Sequence, residues 1–87
     1  MAKYDLEVRP SVGKDVGKIP KQDLKKILAR IESLRDNPRS VGGVKLSNLE
    51  YYRIRQGDYR IVYEIDDRRS LVTVAKVGHR GEVYRRK

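Results

Sequence analysis

The sequence predicts an α+β domain, and three observations predict it. Tyr4, Leu6 and Val8 alternate with Asp5 and Glu7, the period of a strand with one wet side. Leu24, Ile27, Leu28, Ile31 and Leu34 recur at i, i+3, i+4, i+7 and i+10, a single apolar helical stripe. From Tyr51 onward, apolar residues alternate with charged ones across turn signals, as in a run of antiparallel strands.

Each element follows in order. After the first strand, Pro10-Ser11 opens a turn or short helix, because proline cannot continue a strand ladder. Val12, Val16 and Ile19 have helical spacing, but Gly13 and Gly17 weaken it. A frayed first helix ending before Pro20 is expected. The striped second helix ends at Asn37-Pro38. Few residues join the two helices, so they should form a hairpin lying on one face of the sheet. Residues 39–48, with Gly42-Gly43, read as a loop. Strands are expected at about 50–56, 59–66 and 70–77, with a short final one near 82–85. Gly57-Asp58 suits a two-residue turn with glycine at its first central position.

At 87 residues the chain is expected to be a single domain, 1–87, with one thin core. It has no cysteine, so no disulfide or thiolate metal site supports it, and no cofactor is expected. No apolar run reaches membrane-span length and the N-terminus lacks a signal-peptide core. These features predict a soluble cytoplasmic protein with no membrane partner. Lys and Arg number 21 against 12 Asp and Glu, a net +9. The excess is spread along the chain, so the whole domain is basic and an acidic partner is expected.

Placement sharpens that expectation. With Gly57-Asp58 as the loop, Arg55 faces Arg60, Ile54 faces Ile61 and Arg53 faces Val62, and directly opposed side chains share a face. Arg53, Arg55 and Arg60 then point one way, while Tyr52, Ile54, Ile61 and Tyr63 point the other. Closing the next hairpin at Asp67-Arg68 sets Arg60 opposite Ala75, and adds Ile65, Val72 and Val74 to the apolar side. Opposed like charges are unfavourable by a few tenths to about 1 kcal/mol unless an anion is bound. A phosphate backbone is the expected anion. Gly78 and Gly81 flank His79-Arg80, a bend expected to turn both side chains toward the arginines.

These residues resemble the RelE toxins of bacterial and archaeal toxin–antitoxin modules, within the RelE/ParE superfamily. The resemblance spans essentially the whole chain. It rests on Tyr59-Arg60-Ile61-Val62-Tyr63 and on Val77-Gly78-His79-Arg80-Gly81-Glu82-Val83-Tyr84, together with Ile19-Pro20-Lys21 and Tyr52-Arg53-Ile54. It implies a RelE-like curved sheet, an endoribonuclease cutting messenger RNA in the ribosomal A site, and a RelB-like antitoxin that wraps the toxin. Ribosome and mRNA are the other implied partners. It also implies site residues Arg53, Arg55, Arg60, His79, Arg80 and Tyr84, with Tyr84 stacking on or orienting a base.

Arg53 and Arg55 stand where the family has lysines. An arginine is a poor base, so charge stabilisation and substrate alignment carry more of the expected mechanism. His79 is the one side chain with an unperturbed pKa near neutrality. Only three residues follow Tyr84, leaving little room for a C-terminal helix. The competing readings are a ParE-type toxin acting on gyrase and a non-enzymatic RNA-binding module.

Overall fold

The structure, a computed structural model, describes residues 3–39, 44–45 and 51–79. In chain order its elements are strand β1 (Asp5–Val8), helices α1 (Pro10–Val16) and α2 (Lys21–Ser33), and strands β2 (Val44–Lys45), β3 (Tyr51–Gln56), β4 (Tyr59–Asp66) and β5 (Leu71–His79). The strands make one sheet in the order β1-β5-β4-β3-β2. β1 runs parallel to β5, and every other neighbouring pair is antiparallel. This is the expected α+β architecture with a mostly antiparallel sheet.

Helix α1 opens on Pro10, whose missing N–H falls where the helix has no partner for it. It ends at Gly17, whose N–H bonds back to the Gly13 carbonyl at 3.2 Å. Four residues later α2 begins, and it buries Ile27, Ile31 and Leu34 with Leu24 half-buried. Leu28 departs from the expected stripe. It lies roughly 60° round the helix from Ile31 and is 50% exposed. The helices cover the sheet face carrying Ile54, Ile61, Tyr63, Ile65, Val72, Val74 and Val77, all buried in one cluster.

Tyr63 is the largest fully buried side chain. Its hydroxyl donates to the Pro38 carbonyl at 2.5 Å, and its ring stacks on Tyr52 with centroids 5.8 Å apart. Burial pushes that hydroxyl up to about 12. Beside it, Arg39 grips both oxygens of Asp67 at 3.2 and 2.9 Å and reaches the Tyr52 hydroxyl at 3.3 Å. The Tyr4 hydroxyl donates to the same carboxylate at 2.8 Å. This clamp ties the segment after α2 to the β4–β5 turn.

Three local expectations are corrected. Val8 is 47% exposed, because β1 is an edge strand whose end lies outside the helical cover. The expected loop at 39–48 contains β2, which pairs with Arg53 and Tyr52 of β3. The β4–β5 connection is a four-residue turn, Asp67 to Ser70, instead of a two-residue one. Asp66 causes the widening, since its carboxylate accepts the N–H groups of Arg68 and Arg69 at 3.1 and 3.2 Å. Ser70 closes the turn with φ of 50°. The strand expected near 82–85 lies outside the described residues.

Candidate nucleic-acid interface

The β3–β4 hairpin has the register read from the sequence. Gly57 takes φ of 61° at the first central turn position, where a side chain would be strained. Arg55 pairs with Arg60, Ile54 with Ile61, and Arg53 with Val62. Alternation then sets Arg53, Arg55 and Arg60 on the face away from the helices. Their settings differ: Arg55 is exposed, Arg53 is half-buried, and Arg60 is only 8% exposed. Arg60 is the sole buried charged residue among those described.

The neighbour of Arg60 on β5 is Gly78, not Ala75. Two effects move it. The wider turn shifts the pairing by two residues, and a β-bulge between Val62 and Tyr63 shifts it by one more. Val74 pairs with Tyr63 and Lys76 with Val62, so Ala75 is the extra residue. Gly78 has no side chain, which leaves room beside the Arg60 stem.

The upper half of β5 is also anchored from α1. Beyond Val74, β5 has no β1 partner. There the Asp15 carboxylate accepts the Val77 N–H at 3.2 Å and the Lys76 ammonium at 3.2 Å. The helix thus supplies the acceptor that a further strand residue would have supplied.

His79 does not join the arginines. It pairs with Tyr59 and its ring meets the Tyr59 ring edge-on, with centroids 5.7 Å apart. Tyr59 packs against the core cluster, so His79 stands on the helix side of the sheet. β5 continues to His79 instead of bending at Gly78, and strand alternation fixes the side chain's direction. Arg80 and Tyr84 lie outside the described residues.

The structure adds two residues to the arginine face that the sequence reading passed over. Tyr51 sits two residues before Arg53 and so shares its face. Arg9 follows β1 and crosses the sheet, donating to the Tyr51 hydroxyl at 3.1 Å and lying 3.6 Å from a Glu64 oxygen. Its guanidinium carbon is 5.9 Å from the centre of the Tyr51 ring. The Tyr51 bond, then the Tyr51 and Glu64 charges, raise the Arg9 pKa further, so it is cationic at every working pH. Extending the strand alternation back from Arg53 would have found Tyr51. Nothing local in the sequence marks Arg9.

Over residues 6–84 the chain matches the family model for the ParE toxin of the parDE type II toxin–antitoxin system. The chain belongs to the RelE/ParE toxin superfamily. Within it, this is a RelE-like toxin of the type II class. It is 32% identical to the putative toxin RelE1 of Methanocaldococcus jannaschii, over 95% of this chain and 97% of that one. It is 29% identical to the toxin RelG of Mycobacterium tuberculosis, over 95% and 98%. Among solved structures it resembles the RelBE2 toxin–antitoxin complex of Mycobacterium tuberculosis. There the TM-score is 0.77 at 25% identity, covering 90% of this chain and 99% of the other. Among the described residues no helix is long and apolar enough to cross a membrane, and no group of His, Cys, Asp or Glu is arranged to hold a metal ion.

Proposed function

We propose that this toxin is a ribosome-dependent endoribonuclease that cuts messenger RNA in the A site. The observation that carries the reading is Arg55 paired with Arg60, with Arg53 nearby, on the sheet face away from the helices. In the proposed reaction the 2′-oxygen attacks the adjacent phosphorus and the bond to the 5′-oxygen breaks. The 2′-hydroxyl loses its proton, the 5′-oxygen gains one, and a cyclic phosphate and a 5′-hydroxyl result. The arginines donate N–H bonds to the phosphate oxygens as charge grows there. Arg80 donates to the leaving oxygen, and Tyr84 stacks on a base.

No arginine serves well as the base. A base role for His79 would require it to leave the face it shares with Tyr59, so the weight falls on charge stabilisation and on alignment by the ribosome. The proposed partner is a RelB-like antitoxin whose acidic residues meet the basic face. The RelBE2 complex supports that pairing.

Cleavage on programmed ribosomes tests the reading, comparing the intact toxin with Arg55→Ala, Arg60→Ala and Arg80→Ala. Cutting inside the A-site codon is expected, falling about a hundredfold or more in the Arg60 and Arg80 variants. Thermal melting checks that buried Arg60→Ala still folds. No cutting by the folded intact protein rejects the reading. The match to the ParE toxin model keeps in play the ParE-type reading, for which the expected activity is inhibition of gyrase. Toxicity unchanged by Arg60→Ala and Arg80→Ala would support it.

A further inference from the structure

A cleft of about 390 Å³ opens beside the arginine face. Its size falls within the range of small-ligand sites, about 300–1,000 Å³. Pro10 and Leu71 give it apolar walls, and Glu7, Glu64, Thr73, Arg9 and Arg69 give it polar edges. Glu7, Thr73, Glu64 and Tyr51 form one row across β1, β5, β4 and β3. That row stands four residues along β3 from the Arg55–Arg60 pair, roughly 13 Å at strand rise. A strand of RNA held at the arginines can therefore reach the cleft within a few nucleotides.

The lining fits a base better than a phosphate. Arg9 and Arg69 balance Glu7 and Glu64, so the lining carries no net charge to draw a phosphate, whereas it offers a base apolar walls with donors and acceptors at its edge. Arg9 holds Glu64 from one side and covers the Tyr51 ring. Glu64 keeps 40% of its side chain exposed. A carboxylate accepts hydrogen bonds from an exocyclic amino group, as on cytosine N4, and uracil has none.

We propose that this cleft is a base-binding subsite for a nucleotide flanking the cut, selecting amino-bearing bases over uracil through Glu64. The inference rests on the RNA-cleaving reading for its ligand. Arg9 acts as a positioning residue, fixing the Glu64 carboxylate and the Tyr51 ring.

The test uses the intact toxin and non-cleavable 2′-O-methyl tetranucleotides varied at one position at a time, read by fluorescence anisotropy. At one position, adenine, cytosine or guanine should bind about five- to tenfold more tightly than uracil. Glu64→Gln, whose amide can also donate, should shrink that ratio to near one while leaving the melting temperature unchanged. Arg9→Ala should reduce it partly. Equal binding of all four bases at every position overturns the subsite, as does an unchanged ratio in Glu64→Gln or no measurable binding. Discrimination by a toxin that fails to cut on ribosomes would uphold the subsite and reject the cleavage reading, so the two failures are separable.

Discussion

Tyr63 shows how much one polar atom contributes inside this small core. Its hydroxyl is buried and satisfied by the Pro38 carbonyl. Tyr63→Phe keeps the ring but strands that carbonyl, so it should lower unfolding free energy by about 1–2 kcal/mol in urea titrations. The same hydroxyl sets an alkaline limit. Its folded pKa is raised to about 12, above the usual value of about 10. The unfolded chain therefore ionises first. The associated stability is complete below about pH 10 and drains away as pH rises toward 12. Tyr63→Phe should remove that part of the alkaline loss. Ser70 offers the opposite change. At φ of 50° it occupies a conformation that favours glycine, so Ser70→Gly should raise stability by about 0.5–1 kcal/mol.

At the scale of elements, turns decide where the arginines meet. Gly57 marks the β3–β4 turn, so the pairing of Arg55 with Arg60 could be read from residue types alone. The β4–β5 pairing could not. Asp66 widens the turn with its own side chain, and beyond the bulge at Ala75 the strand is held by Asp15 of α1, far away in sequence. The apolar face was still legible, because a shift of two residues leaves every side chain on its original face. The extra residue broke that parity, which is why the sequence set Arg60 beside Ala75 and His79 among the arginines. The clamp on the β4–β5 turn gives a separate prediction. Arg39 first, then Tyr4, holds the Asp67 carboxyl below the usual carboxylate range. A depressed folded pKa contributes stability above the unfolded value, about pH 4, that is lost as pH falls through the folded one. Urea midpoints should drop on acidification through that window, and less so in Asp67→Asn.

At the scale of the molecule, charge and fold separate. The chain carries +9, yet the described sheet face is not uniformly basic, since Glu7 and Glu64 stand in the cross-strand row next to that of Arg53. Global charge should therefore set encounter with RNA, while the arginines set grip. Binding to a short single-stranded RNA should weaken with salt at a log–log slope near −0.7 per phosphate held. Arg53→Ala combined with Arg55→Ala should flatten that slope by about 1.4. A slope unchanged by the double substitution would mean that the RNA lies elsewhere.

The parallel pairing of β1 with β5 also governs when the toxin comes into being. Asp5 to Val8 must wait for Leu71 to Val74, nearly the full length of the chain, before gaining a hydrogen-bonded neighbour. Contacts so distant in sequence slow folding. They also make completion of the sheet a late event in synthesis. Nascent toxin can raise its β3–β4 hairpin early, but Gly78 beside Arg60 and Asp15 beneath Val77 arrive only with the last strand. A ribosome would thus have made most of the protein before its sheet could close.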